Sequence, residues 1–209
     1  GSRSTIALPK IQEDLVAELQ KSGKPIILML SSGRPLELIR LNQMADAIVE
    51  IWQPGTKAGS AVAGILSGRT NPSGKLSITF PQTTGQIPIY YNMRESSRPK
   101  SGHYQDIPRD ALYWFGHGLS YSTFNYSGLQ LPKTIAANKP VTVTVTVKNT
   151  GKRDGDEVVQ LYVSHQQTKS KAPIRALKGF KRIALKAGES KTISFKLTPE
   201  ELALVNETT

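Results

Sequence analysis

The sequence predicts an α/β domain, with a mostly parallel sheet covered by helices, followed by a truncated antiparallel β-sandwich. Residues 25–30 are an apolar run without alternation, a pattern typical of a parallel strand covered on both faces, and residues 45–52 predict a second buried strand. Residues 141–147 alternate valine with threonine, which is typical of a half-buried antiparallel strand. The pattern changes after Tyr126, so the predicted domains are residues 1–126 and 127–209.

Helices and a third strand are predicted around the two apolar runs. Apolar residues recur at helical spacing over residues 9–22, which predicts a helix that Gly23 ends. Residues 36–44 fit either a short strand or a helix, and the small-residue segment 60–67 predicts a helix that packs closely on a sheet. An Asn-Pro-Ser-Gly turn then precedes alternating apolar residues, which predicts a strand over residues 76–80. Such strand–helix–strand connections form right-handed parallel units.

The C-terminal part of the first predicted domain is irregular and then rich in aromatic residues. Residues 81–113 form a long segment interrupted by prolines, and segments of this kind are usually functional or wrap a neighbouring domain. The aromatic residues of the segment 112–124 are too dense for an exposed loop. We therefore expect most of them to be buried, at a domain seam.

In the second domain, strands are predicted at 141–147, 158–163, 180–185 and 191–197, with turns at 149–155 and 187–189. A sandwich of the immunoglobulin or fibronectin type has about seven strands. Because the chain offers only five or six, the sandwich is predicted to be incomplete at its C-terminal end.

Composition excludes several classes of protein and of site. The chain has no cysteine, so disulfides and thiolate metal sites are excluded. No apolar run approaches the roughly 20 residues that span a bilayer, and no secretory signal is visible. The net charge of +11 divides into +4 for residues 1–126 and +7 for residues 127–209. Aromatic residues are not spaced among the basic residues for base stacking, which disfavours a nucleic-acid partner.

The carboxylates show no pair marked as a catalytic acid and base. Glycosidases need two carboxyl groups about 5–9 Å apart. Asp154, Asp156 and Glu157 are predicted to solvate a hairpin, and a calcium site there is the minor alternative. Asp46 and Glu50 flank an apolar run and are predicted to be polar groups at strand ends. The remaining candidates are Asp106 and Asp110.

Other polar candidates are weaker. Ser31 and Ser32 lie where parallel sheets present ligand-binding loops, but no histidine or acid is visibly paired with them. The histidines lack metal-ligand spacing, and the Gly-His-Gly segment at 116–118 is not a phosphate loop. The residues in question are His103, His117 and His165.

The long loop and two sequons complete the candidates. The loop side chains of Tyr90, Tyr91, Asn92 and Arg94 either edge a sugar site or pack on another domain, and packing is the favoured interpretation. Asparagine sequons begin at residues 125 and 206, and this short pattern often arises by chance.

Several unusual segments occur in one order: Gly-Arg-Pro-Leu at 33–36, Pro-Gly at 54–55, and residues 71–81, 86–92 and 115–124. In this order they resemble the C-terminal α/β domain of family 3 glycoside hydrolases, the β-glucosidases and their relatives. The segments 158–162, 177–180 and 188–189 resemble the fibronectin-III-like domain that follows it in this family.

The resemblance implies a parent enzyme that removes terminal β-linked glucosyl (or xylosyl) units from oligosaccharides with retention, without a metal or other cofactor. It implies that the nucleophilic aspartate comes from an absent N-terminal (β/α)8 barrel. The acid/base glutamate is implied to lie just before residues 2–9. We therefore assign no catalytic residue to this chain, leave its substrate-binding residues unknown, and expect it to be inactive alone. A periplasmic or cell-surface bacterial location is implied in the same way.

Two other classes of function remain open. The chain is also compatible with a non-catalytic carbohydrate-binding or scaffold module, which would bind cello-oligosaccharides without a barrel. A flavodoxin-like domain would instead bind a phosphate-bearing ligand near residues 31–33.

Overall fold

A computed structural model describes residues 4–94, 106–136, 138–166, 168 and 172–204, which form two compact units. The α/β unit consists of Gly1–Ala61, Leu76–Tyr90 and Ser97–His117. The β unit consists of Val62–Lys75, Tyr91–Ser96 and Gly118–Thr209.

The α/β unit begins with the predicted helix and contains the two predicted parallel strands. Helix α1 spans Lys10–Gln20, strand β1 spans Ile27–Leu30 and strand β2 spans Ala47–Glu50. The two strands pair in parallel, with Ile27 opposite Ala47 and Leu30 opposite Glu50. Asp46 accepts a hydrogen bond from the backbone N–H of Ile26 at 2.7 Å, which confirms its prediction as a strand-end group.

The segment left open between β1 and β2 is helical at its C-terminal end. Helix α2 spans Ile39–Met44 and places Leu41 in the core. Leu36 and Leu38, which precede the helix, are also buried, together with Leu30 and Phe80. A 3-10 turn at Gly55–Lys57 then leads into helix α3, Ala58–Leu66, which confirms the predicted second helix.

The predicted strand over residues 76–80 is wrong. The backbone of Leu76 bonds to His117 and Gly116, and that of Phe80 pairs with Tyr113, but the chain bends between these two points. The bend exposes Ile78 and buries the polar Thr79, so the alternation of apolar residues does not define one face. Among the described residues the parallel sheet therefore has two strands, β1 and β2.

Within its described residues, the β unit contains five antiparallel strands in two sheets. Strands β3, β4 and β7 form one sheet, and β5 and β6 form the other. Residues from both sheets meet in one apolar core, which includes Val147, Val159, Leu185 and Phe195. The bounds are Phe124–Gln130 for β3, Val141–Asn149 for β4, Gly155–Val163 for β5, Ala176–Leu185 for β6 and Ser190–Leu197 for β7.

Two details of the β unit were not visible in the sequence pattern. Strand β3 has exposed residues on both faces along most of its length, so it lacks an alternating pattern. A short helix, α4, spans Pro199–Leu202 after the last strand and begins with a capping box between Thr198 and Glu201.

The aromatic segment 112–124 is less buried than expected. Tyr113, Trp114, Phe115 and Phe124 are half-buried rather than buried, and Tyr121 and Leu119 are exposed. The closest packing in this segment is at a glycine rather than at an aromatic ring. A Cβ atom added to Gly118 would clash with the carbonyl oxygen of Gly74, so no side chain fits there.

Candidate functional site

The candidate site of the α/β unit lies where β1 and β2 end. Because the strands are parallel and in register, their carboxyl ends meet at one edge of the sheet. The loop after β1 carries Ser31 and Ser32, and the chain after β2 carries Trp52. Ligand-binding residues of open α/β sheets gather at this kind of edge.

Trp52 has an unusual backbone conformation that three contacts hold in place. Its φ angle is 50°, a left-handed value that is uncommon for any residue other than glycine. Its N–H donates to Glu50 at 2.8 Å, and its carbonyl accepts from the Ser31 hydroxyl at 2.8 Å. Its ring packs against Phe80 with centroids 5.9 Å apart. Backbone strain of this kind is common at functional sites, where the surrounding contacts over-determine it.

Glu50 connects the two loops. Its second carboxylate oxygen accepts a hydrogen bond from the Ser32 hydroxyl at 3.1 Å, and the same hydroxyl lies 2.9 Å from the carbonyl of Arg34. Burial raises the pKa of Glu50, and the hydrogen bonds from Trp52 and Ser32 oppose this rise. These hydrogen bonds hold the two loops together at the carboxyl ends of β1 and β2. The carboxyl group of Glu50 there protonates more readily than an exposed one.

The pairing of Ser32 with Glu50 corrects the sequence-based interpretation that no acid is paired with the two serines. The residues are 18 positions apart, and only the register of β1 on β2 brings them together. Within the described chain, neither Ser31 nor Ser32 bonds to a histidine, so the geometry of a serine nucleophile with its base is not formed.

A second polar cluster ties the start of the described chain to the α/β unit. The Glu37 carboxylate accepts from both the N–H and the hydroxyl of Thr84, each at 3.0 Å. The Thr84 hydroxyl oxygen accepts in turn from the N–H of Ile6 at 3.3 Å, and the N–H of Glu37 donates to the Ile6 carbonyl at 3.2 Å. These contacts fix the segment that precedes α1.

In the β unit, Glu157 is buried, and the prediction that it solvates a hairpin is wrong. Its carboxylate lies 3.3 Å from the ammonium group of Lys75 and accepts from the Tyr126 hydroxyl at 2.8 Å. Burial, followed by the bond to Glu157 and its charge, raises the pKa of Tyr126 well above its usual range. Lys75 also donates to the carbonyl of Gly118 at 2.8 Å. The last residue of the Asn-Pro-Ser-Gly-Lys motif thus neutralises a buried carboxylate.

Asn71, the first residue of that motif, is a hydrogen-bonding centre of the β unit. Its side-chain oxygen accepts from the Ser120 hydroxyl and the Tyr121 N–H, each at 2.8 Å. Its amide donates to the carbonyl of Asp154 at 3.0 Å and to the Ser122 hydroxyl at 3.3 Å. The motif therefore bonds to the segment that follows Gly118 as well as forming a turn.

In the part of the chain that the structure describes, the other carboxylates form no paired acid and base. Asp154 is exposed and accepts from the N–H of Ala187 at 2.9 Å, and Asp156 bonds to Arg182 on β6 at 2.8 Å. The turn that carries Asp154 does not close the predicted hairpin, because β4 and β5 belong to different sheets. Asp106 and Asp110 are exposed.

The histidines and sequons are distributed over both units. The ring of His117 stacks on Tyr113, with centroids 5.0 Å apart, and His165 is half-buried. Asn125 is exposed on β3. His103 and the sequon at residue 206 lie outside the described residues. In the described part of the chain, no group of three or more histidine, aspartate or glutamate side chains is arranged to hold a metal ion.

The loop candidates differ in exposure and in their contacts. Tyr90 and Asn92 are exposed. The Tyr91 hydroxyl accepts from the N–H of Leu177 at 3.3 Å, and its ring meets that of Tyr162 edge-on, with centroids 5.8 Å apart. The backbone of Arg94 forms an isolated antiparallel bridge with Pro173. Tyr91 and Arg94 thus pack within the β unit.

Sequence reasoning missed two buried glutamines that hold the long loop. The side-chain oxygen of Gln86 accepts from the N–H of Gln82 at 2.6 Å, and its amide donates to the carbonyls of Pro108 and Asp110. Gln82 also donates to the Asp110 carbonyl at 2.7 Å. Partners more than 20 residues away leave no local signal in the sequence.

The chain thus combines an α/β unit that contains a parallel strand pair with a unit of antiparallel strands. The model of the glycosyl hydrolase family 3 C-terminal domain matches residues 1–121, and that of the fibronectin type III-like domain matches residues 157–209. The chain therefore belongs to glycoside hydrolase family 3, as the C-terminal domain of that family.

Similar proteins share almost the whole of this chain. A periplasmic beta-glucosidase from Salmonella typhimurium is 44% identical over 99% of the chain, which covers 28% of that relative. A beta-xylosidase from Formosa agariphila is 44% identical over 99% of the chain, which covers 29% of that relative. The crystal structure of a Listeria innocua beta-glucosidase in complex with isofagomine matches with a TM-score of 0.96 and 44% identity, over 99% of this chain and 30% of that chain.

The chain thus spans less than a third of the length of these relatives. Among the described residues, none of the helices has the length and apolar character needed to cross a bilayer.

Proposed function

We propose that the chain is the C-terminal portion of a retaining β-glucosidase-like glycoside hydrolase, which removes terminal β-linked glucosyl units from oligosaccharides. The observation that carries this proposal is the 44% identity to a periplasmic beta-glucosidase over 99% of the chain. The equal identity to a beta-xylosidase favours xylosyl units as the second candidate substrate.

Within the proposed enzyme, this chain supplies structure rather than the reacting carboxylates. Retaining glycosidases use two carboxyl groups about 5 Å apart. The described carboxylates are engaged in other bonds or exposed: Glu37 holds Thr84, Glu50 holds Trp52, and Glu157 neutralises Lys75. We therefore propose that both catalytic groups lie in a preceding portion of a longer protein, with the nucleophile on an N-terminal (β/α)8 barrel.

The domain division and the location belong to the same proposal. Residues 1–126 would form the α/β domain without its N-terminal part, and residues 127–209 the fibronectin-III-like domain. The name of the Salmonella relative supports a periplasmic location, and the longer protein would act there or at the cell surface.

The test compares the 209-residue chain with the longer protein that contains it. Each is incubated with an aryl β-glucoside and with the matching β-xyloside, and release of the phenol is measured. We expect the longer protein to hydrolyse the glucoside faster than the xyloside and the chain alone to show only the uncatalysed rate. A longer protein that hydrolyses neither substrate would refute the proposed activity.

A further inference from the structure

The β unit contains a cavity of about 240 Å³ beside the end of β5 and the start of β6. Val163 and Ala176, the last pair in the register of these two strands, line the cavity. Pro173 and Leu204 add further apolar wall. All of the described lining residues belong to the β unit. Small-molecule sites in proteins are mostly apolar concavities with a few polar groups, and this cavity has that composition.

Three basic side chains from separate segments line the same cavity. Lys178 lies on β6, His165 follows β5, and Arg94 lies in the long loop. Among the described lining residues none is acidic. The ion pairs formed by the described residues include neither Lys178 nor His165, and nearby Glu201 accepts from the N–H of Thr198. Basic groups without an acidic neighbour make the cavity attractive to an anion.

A β-bulge places Lys178 at the cavity. The register of β5 on β6 shifts between Leu161 and Tyr162, and Lys178 is the extra residue on β6. Bulges bend a strand and redirect a side chain, and they are frequent next to active sites. The position of Lys178 thus follows from the backbone rather than from the regular pleat of the sheet.

The backbone also fixes the segment that carries Arg94. Arg94 forms an antiparallel bridge with Pro173, and the N–H of Ile174 donates to the carbonyl of Met93 at 2.9 Å. Two of the three basic residues are therefore held by backbone pairing, which makes the cavity preformed. Preformed sites bind more tightly because less ordering accompanies binding.

We infer that this cavity binds a uronic acid, a monosaccharide that carries a carboxylate. A guanidinium group binds a carboxylate through two parallel N–H donors, and a lysine ammonium group adds a charge-assisted hydrogen bond. The cavity is somewhat smaller than the roughly 300–1,000 Å³ of sites for drug-sized ligands, which suits one sugar ring. The apolar walls suit the C–H groups of that ring. The choice of a sugar rather than another small organic acid rests on the proposed function.

The test is an NMR titration of the 209-residue chain with D-glucuronate, compared with D-glucose and inorganic phosphate. Amide shifts of residues 163–165 and 176–178 report on the cavity. Lys178→Met removes a charge from the cavity but keeps an apolar stem of similar length. Lys196→Met is the matched control, because Lys196 is exposed on β7 and does not line the cavity. Ala176→Leu fills the cavity without changing a charge.

We expect D-glucuronate to shift these amides and D-glucose to leave them unchanged at the same concentration. Lys178→Met should weaken D-glucuronate binding at least about tenfold, because it removes a charge-assisted hydrogen bond. Ala176→Leu should abolish binding, and Lys196→Met should not alter it. If Lys178→Met fails to fold, His165→Gln takes its place.

Three results would overturn the inference. The first is the absence of shifts with D-glucuronate. The second is an equal weakening by Lys178→Met and Lys196→Met. The third is phosphate binding as tight as D-glucuronate binding, because charge alone would then explain the affinity.

Calorimetric titration of the longer protein separates this inference from the proposed function. D-Glucuronate binding that Lys178→Met weakens, in a longer protein that hydrolyses neither glycoside, would support the site and refute the activity. Hydrolysis without such binding would support the activity and refute the site, because another part of the longer protein would then fill the cavity.

Discussion

Lys75→Met tests the buried ion pair of the β unit. The side chains of Lys75 and Glu157 are 17% and 10% exposed, and their charged groups lie 3.3 Å apart. Removing the lysine leaves the carboxylate buried with the Tyr126 hydroxyl as its one remaining side-chain partner among the described residues, and it also removes the bond to Gly118. Breaking a buried pair from one side costs about 3–5 kcal/mol. We expect about 3 kcal/mol, since Lys75 retains some access to water.

A matched control comes from the surface of the α/β unit. Lys10 and Asp14 lie closer together, at 2.6 Å, but their side chains are 80% and 40% exposed. Pairs of this kind contribute about 0–1 kcal/mol, so Lys10→Met should change the free energy of unfolding by less than 1 kcal/mol. If distance decided the stability lost, Lys10→Met would cost more than Lys75→Met. If burial decides it, Lys75→Met costs more.

The assay is native-state hydrogen exchange in increasing urea, which gives the free energy of opening for amides of β4 and β5 in the Lys75 variants and for amides of α1 and β1 in the Lys10 variant. The double variant Lys75→Met, Glu157→Leu completes a mutant cycle. It should recover most of the loss, because a buried pair replaced by apolar residues is often neutral. If Lys75→Met costs no more than Lys10→Met, or if the double variant is less stable than either single one, the burial argument is refuted.

Three further predictions follow from other contacts. Gly118→Ala should destabilise the β unit by about 3 kcal/mol through overpacking, whereas Gly74→Ala, with nothing within 4 Å of the added Cβ, should cost less than about 1 kcal/mol; equal denaturation midpoints would contradict this. Burial raises the pKa of Glu50 in the folded state, so the stability of the wild type relative to Glu50→Gln should increase as the pH falls from 7 towards 4.5. Urea unfolding followed by tryptophan fluorescence measures this difference, and a difference that shrinks as the pH falls would contradict the prediction. Tyr126→Phe should be less stable than the wild type at pH 7, where it lacks the bond to Glu157. This difference in the free energy of unfolding should narrow as the pH rises above 10, because Tyr126 then ionises in the unfolded state but resists ionisation in the folded state. A difference that stays constant with pH in chemical denaturation would count against this.

Local sequence patterns correctly predicted the elements that depend only on residues close together in the chain. The apolar run at β1 and the helical spacing of α1 each depend on neighbours a few residues apart, and both elements are present. Alternation failed at residues 76–80 because a bend places Thr79 rather than Ile78 in the interior.

The site depends on contacts that the sequence pattern does not contain. Ser32 meets Glu50 only through the register of two parallel strands. Glu157 was predicted to be solvated because its cation, Lys75, lies 82 residues away in the chain. The conformation of Trp52 likewise follows from bonds to Ser31 and Glu50 rather than from a glycine signal.

The central proposal, that this chain belongs to a glycosidase but carries neither of its catalytic carboxylates, is tested most directly by trapping the covalent intermediate. An activated 2-deoxy-2-fluoro-β-glucoside forms a slowly hydrolysed glycosyl-enzyme on the nucleophile of a retaining enzyme. After reaction with the longer protein, the labelled peptide is identified by mass spectrometry. The account predicts a label on a carboxylate outside these 209 residues. A label on Asp46, Glu50 or any other carboxylate of this chain would contradict it.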